Sequence, residues 1–378
     1  MFHCKRIVLA TALSMFACGT ALSADNYPNR PVRMIVPFAP GGASDFVGRI
    51  IQPALVEQLG QQVVIENRSG AAGNIGVESA ARASADGYTF LLGNVGTMAI
   101  NPVYYTKFPI KPLKDLTPIS QVVDVPGSLV VHPSLPAKTV KELIAHIKAN
   151  PGKLNYGSPA PSSANSLEAK MFLIGFGGTA TEVPYKGGAG PATVGLLANE
   201  VQFMFATFSS TATFSKQGRL RMLGIVAPER SPSYPEMPTM KEQGFDMVVG
   251  SWQGIFAPVG TPRPVINKLF DVTQKAMKDA TVNKRLNDGG VPVILSKTQD
   301  EFAKFVKAET ERFGKIIKDA KIQTESAAAS INIQAQTEAR NWYETRLLHD
   351  ADTPPRQELH SITPRGSRSH HPCRRAWL

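Results

Sequence analysis

Few folds accommodate the order of signals near the start of this sequence. Val32–Val36 reads as a strand, and Pro37-Phe38-Ala39-Pro40-Gly41-Gly42-Ala43-Ser44-Asp45 as a glycine-rich turn. Phe46, Val47, Ile50, Ile51, Ala54, Leu55 and Leu59 then recur at helical spacing until Gly60. Val63–Glu66 is a second strand, followed by a loop over Ser69–Gly76 and a short helix to Ala83. Asp86-Gly87 turns the chain into a third strand, Tyr88–Leu92. This βαβαβ order calls for a parallel sheet with helices on its faces. Ligands on such sheets bind outside the carboxyl ends of the strands. The loops after all three strands lie there, including Gly93–Thr97 with Asn94 and Thr97.

The first loop has the makings of an anion receptor. A glycine turn that opens a helix leaves several backbone N–H groups unpaired and aimed the same way, at the positive end of the helix dipole. Carboxylate binds there as readily as phosphate. Gly41 and Gly42 allow close backbone approach, and Ser44 adds a hydroxyl or an N-cap. Asp45 has two readings: it faces the dipole, or it accepts from a hydroxyl or ammonium on a ligand. Phe38 either walls the cleft or fills core. The same residues also suit a plain tight turn with ordinary capping.

A second round of the pattern begins near Pro126. Ser128–His132 is a strand, and Thr139 with Glu142 forms a capping box. Leu154–Gly157 leads into a serine-rich loop with Ser158, Ser162 and Ser163, and Glu182–Tyr185 into Lys186-Gly187-Gly188. Hydroxyls and a cation facing the first lobe would complete a cleft, although Lys186 equally suits a solvated surface. Val201–Phe205 and Arg221–Val226 are further strands, and helices follow at Pro264–Ala280 and Thr298–Asp319, the latter with its own capping box at Thr298 and Glu301. A chain of 378 residues exceeds what one core usually covers. The expected organisation is lobe 1 over 25–124 plus 250–322, and lobe 2 over 125–249. Residues 323–378, rich in Pro, Arg, Ser and His towards the end, read as a disordered tail with no part in binding.

The N-terminus reads as a secretory signal over 1–24: Lys5 and Arg6, an apolar run from Ile7 to Thr20, then small residues before Asp25. Cys18 offers a lipid-attachment alternative, against which the bulky Phe16 speaks. The body between signal and tail contains no cysteine, and its histidines are His132 and His146. Zinc sites, a thiol nucleophile and Ser-His-Asp chemistry are therefore disfavoured, and no metal or cofactor is expected. The loop at Gly41 lacks the Lys-Ser/Thr of a phosphate-binding P-loop and the spacing of a dinucleotide fingerprint. The net charge is +11, but the basic residues are scattered, so nucleic acid is not an expected partner.

Taken together, these motifs resemble the substrate receptors of tripartite tricarboxylate transporters, the Bug-type periplasmic binding proteins. The resemblance is carried by Pro37–Asp45, Glu66-Asn67-Arg68 with Gly70–Gly76, Asp86-Gly87-Tyr88-Thr89, Pro151-Gly152-Lys153-Leu154, Val183–Gly188, and Ala257-Pro258 with Gly260-Thr261-Pro262. It spans about Tyr27 to Ile322. It implies a two-lobed α/β periplasmic-binding fold, each lobe a mainly parallel sheet, with a small carboxylate closed between the lobes. It further implies delivery to membrane transporter subunits, no chemical step, and a monomer in the periplasm. By motif, the site implied is Phe38, Gly41, Gly42, Ala43, Ser44, Asp45 and Asn74 from one lobe, with Tyr185, Lys186 and Gly187 from the other. Ala160, Ser162 and Ser166 stand where the family's facing loop usually has glycines and a histidine. The ligand stays open among di- and tricarboxylates, amino acids and aromatic acids. Two alternatives remain: an exported hydrolase or transferase using Ser44, and a partner of a membrane sensor.

Overall fold

The structure is a computed structural model that describes residues 27–324 apart from 107, 109, 232, 233, 246 and 248. The expected signal segment, and the tail from residue 325, lie outside the described residues.

The first sheet grows from the alternation at the start of the chain. Strand β1 (Val32–Val36) leads through the glycine loop into helix α1 (Ala43–Leu59), which starts three residues earlier than its apolar periodicity. Strand β2 (Val63–Asn67), helix α2 (Asn74–Ala81) and strand β3 (Thr89–Asn94) follow, then strand β4 (Leu116–Val125). The second sheet begins at strand β5 (Gly127–Val131), followed by helix α3 (Val140–Ala149) and strand β6 (Asn155–Ser158). Helix α4 (Ala164–Phe176), strand β7 (Thr181–Pro184), helix α5 (Ala189–Leu197) and strand β8 (Phe203–Thr207) continue it. Helix α6 (Phe208–Lys216) and strand β9 (Arg221–Val226) complete it. The chain then returns to the first sheet with strand β10 (Ser251–Pro258) and ends in helices α7 (Arg263–Lys278), α8 (Ala280–Asp288) and α9 (Gln299–Asp319).

The strand orders are β2-β1-β3-β10-β4 and β7-β6-β8-β5-β9. They are the same arrangement used twice. In each, three strands run parallel, and the fourth position is filled by a reversed strand, β10 in one sheet and β5 in the other. The sheets are therefore mainly but not wholly parallel. The two reversed strands are also those adjoining the passages between sheets, at Pro126 and near Gly250. Apolar cores cover both faces: Val47, Ile51 and Leu55 of α1 pack with Ile266 and Leu269 of α7, while Trp252 and Phe256 pack with Phe302 and Phe313 of α9.

Both capping boxes read from the sequence form. Thr139 Oγ1 accepts from the Glu142 amide at 3.2 Å, and Thr298 Oγ1 from the Glu301 amide at 3.1 Å. In return, each glutamate accepts from the amide just upstream of its cap, Lys138 and Lys297.

Candidate functional site

The loop after β1 and the loops after β6 and β7 come together over a cavity of about 50 Å³, room for a few waters or one small group. The lobes touch around it. The Ala39 amide donates to the Gly187 carbonyl at 2.9 Å. Ser162 Oγ donates to Asn101 Oδ1 at 2.6 Å and lies 3.2 Å from the Tyr105 hydroxyl. This is a shut cleft.

Three helices begin at the cavity wall. Gly42, at the start of α1, has no side-chain cap, and the amides of Ala43 and Ser44 have no hydrogen-bond partner among the described residues. Across the cleft, α4 starts with Ala164 and Asn165, its N-cap Ser163 being used on the Ser166 amide at 3.1 Å. Helix α5 starts at Ala189, again without a side-chain cap. The positive ends of three helix dipoles thus converge on one space. None of the residues lining it is charged.

Of the residues expected from the sequence, Phe38, Gly42, Ala43, Ser44, Asn94, Ser162 and Ser163 line the cavity. Phe38 is half-buried and lines the cavity, its ring close to Gly73 of its own lobe and to Gly188 across the cleft: a Cβ on either glycine would stand 3.1 Å or 3.0 Å from a ring carbon. Gly41 lies beside the cavity at φ +89, a conformation that favours glycine, and donates its amide to Asp45 Oδ2 at 3.1 Å.

Asp45 is spent on the loop itself. Its carboxylate also accepts from Arg49 Nε at 2.9 Å and from Asn67 Nδ2 at 3.1 Å. Burial pushes its pKa up, but the bonds from Arg49, Gly41 and Asn67 outweigh that and hold it below the usual carboxylate range. Asn67 also donates to the Phe38 carbonyl at 2.9 Å, so the end of β2 pins both sides of the glycine turn.

The other expected residues lie outside the cavity wall. Asn74 Oδ1 accepts from Asn101, which itself lines the cavity. Thr97 caps Asn94, donating its amide to Asn94 Oδ1 at 3.0 Å. Ser158 donates to Glu182 Oε1 at 2.7 Å and Tyr185 to Glu200 Oε2 at 2.8 Å, and Lys186 is exposed. Burial, with the Glu200 carboxylate beside it, pushes the Tyr185 hydroxyl up to about 12. Gly187 acts in lobe contact through its carbonyl.

Sequence reasoning missed Asn101, Asn165, Ala189, Thr207, Ser251 and Gln253, all in the wall. Gln253 carried a signal: it is a lone amide inside an otherwise apolar strand run, Trp252 to Pro258.

Residues 47–322 match the family model described as "Tripartite tricarboxylate transporter family receptor". The chain belongs to that family. The receptor is 35% identical over 319 residues to Protein BugT of Bordetella pertussis, across 83% of this chain and 97% of that one. Among solved structures, periplasmic binding protein BugD is 32% identical with a TM-score of 0.76, covering 79% of the receptor and 99% of BugD. The structure of R. palustris Rpa4515 with adipate has the same identity, TM-score and coverages. The receptor therefore has the two-lobed fold of periplasmic binding proteins, with its cleft between the lobes. It is a solute receptor of the tripartite tricarboxylate transporter type.

Proposed function

We propose that this receptor captures a small carboxylate by closing lobe 1 (25–124 and 250–322) on lobe 2 (125–249), and delivers it to membrane transporter subunits from the periplasm. The observation that carries this reading is the convergence of the α1, α4 and α5 N-termini on a cavity whose wall has no charged side chain. Fixed N–H donors in a shut cleft hold an anion without reorganising, and the low local dielectric strengthens each bond. A ligand touching both lobes only in the shut state shifts the equilibrium towards it. The bound adipate of Rpa4515 supports carboxylate as the ligand class. Residues 1–24 act as the export signal, and the exported receptor works as a monomer. No chemical step is involved: Ser44 has no histidine beside it in the wall, and the Asp45 carboxylate is committed to Gly41, Arg49 and Asn67.

Thermal unfolding against a panel of carboxylic acids tests this. At a hundredfold excess over its dissociation constant, a bound acid is expected to add about 2.7 kcal/mol of stability, while its uncharged amide adds none. A panel in which no acid raises the midpoint, with native mass spectrometry showing no acid retained on the purified protein, would refute the reading. Ser44→Ala removes one hydroxyl but none of the amides. Calorimetry on an acid that the panel identifies should show it binding roughly five- to tenfold more weakly, the worth of one hydrogen bond.

A further inference from the structure

Gln253 is fully buried in the cavity wall, and neither its Nε2 nor its Oε1 has a hydrogen-bond partner among the described residues. Burying an amide in that state costs free energy that a native fold rarely leaves uncompensated. Its neighbours in the wall are otherwise occupied. Asn101 donates to the Ala72 carbonyl at 3.1 Å and accepts from Ser162, and Asn165 donates to Glu168 Oε2 at 2.9 Å. Thr207 Oγ1 is 2.9 Å from Ser210 Oγ.

The strand presents Gln253 deliberately. In the pairing of β10 with β4, the register slips between Gln253 and Gly254, a bulge of the kind that re-aims a side chain beside a site. In the pairing with β3, Gln253 stands opposite Asn94, whose Oδ1 is taken by the Thr97 amide and whose Nδ2 has no partner among the described residues. Ser251, two residues back on the same face of the strand, also lines the cavity. This wall of the cavity therefore offers two amide donors and one amide acceptor.

Resting on the carboxylate reading above, we propose that Gln253 is the specificity-determining residue of the receptor, and that it selects acids carrying a hydroxyl next to a carboxylate. A plain carboxylate satisfies Gln253 Nε2 but leaves Oε1 facing a second acceptor. A hydroxyl supplies the missing donor: it donates to Oε1 while a carboxylate oxygen accepts from Nε2 and from Asn94 Nδ2. An ammonium could donate to Oε1 as well. It would carry a full positive charge into a wall with no carboxylate and three positive helix ends, so the hydroxyl is the favoured donor.

The test is calorimetry on matched acids that differ by this one group: succinate against malate, glutarate against 2-hydroxyglutarate, with aspartate and glutamate as the ammonium arm. The wild-type receptor is expected to bind the hydroxy member at least tenfold more tightly than its parent in the pair whose length fits. In Gln253→Met, which keeps the length but has neither donor nor acceptor, that ratio should fall below threefold, and the parent acid, losing its bond to Nε2, should itself bind roughly five- to tenfold more weakly. Gln253→Glu keeps the shape and an acceptor but loses the donor and adds charge, and should weaken every acid at least tenfold. Equal wild-type affinity within both pairs, tighter binding of the amino acids, a ratio that survives Gln253→Met, or unchanged affinities in Gln253→Glu would each overturn the assignment. Binding of acids without hydroxyl preference would defeat this inference alone. Binding of no carboxylic acid would defeat the carboxylate reading on which it rests.

Discussion

Gly190→Val is expected to bind any carboxylate at least a hundredfold more weakly than the wild type, a loss of about 2.7 kcal/mol. A Cβ at Gly190 would stand 2.6 Å from the Pro40 carbonyl oxygen and 3.2 Å from the Gly41 carbonyl carbon. Both are backbone atoms of the facing lobe, so no flexible side chain can give way. The lobes would have to stay apart, and the apparent affinity of a receptor falls with the fraction of molecules able to shut. Folding should survive, because the clash lies between lobes rather than inside one. Gly190 is the second residue of α5, where replacing glycine by valine changes helix propensity by less than about 1 kcal/mol. Small-angle scattering separates the outcomes: ligand should compact the wild type and leave the variant unchanged. Wild-type affinity in Gly190→Val would mean that the shut cleft is not the binding form.

How far the sequence carried the reading depends on the range of the interactions involved. The glycine turn at Gly41-Gly42, the capping boxes at Thr139 and Thr298 and the helical spacing of α1 are local signals, and each is found where it was read. The reversed strand in each sheet was not legible. Its direction comes from pairing β10 with β4, segments more than a hundred residues apart, and nothing near Ser251–Pro258 encodes it. The candidate site divides the same way. Ser44 and Ser163 were visible because they open helices next to strands. Asn101 and Gln253 reach the cavity only through tertiary contact. Asp45 shows a further limit: its carboxylate could be assigned to dipole or ligand from the sequence, but its bonds to Arg49 and Asn67 depend on β2 lying beside β1.

The second large effect is expected where the chain passes between the sheets. The Glu168 side chain on α4 is fully buried, and a Cβ at Gly127, just past the first passage, would lie 2.5 Å from one of its oxygens. Asp124 holds the matching place at the second passage, where a Cβ at Gly250 would lie 2.7 Å from both of its oxygens. Burial pushes the Glu168 carboxyl up to about 8; the bond from Asn165 opposes this, and the Asp124 charge adds to it. Burial and the Glu309 charge push Asp124 up to about 6, against the pull of Arg312. In the unfolded chain Glu168 would titrate near 4.5. Between that value and about 8 the folded state keeps a proton that the unfolded state releases, so stability falls as pH rises. The contribution is full below about 4.5 and lost through about 8. Denaturant unfolding from about pH 5 to pH 8.5 should therefore show a wild-type loss of a few kcal/mol. Glu168→Gln keeps an oxygen for Asn165 and needs no proton, so most of that slope should vanish, leaving the smaller share that Asp124 contributes below about pH 6. At pH 8.5 the variant should be the more stable protein. Equal slopes in the two would mean that Glu168 is ionised where it lies, with its charge balanced by water reaching the passage between the lobes.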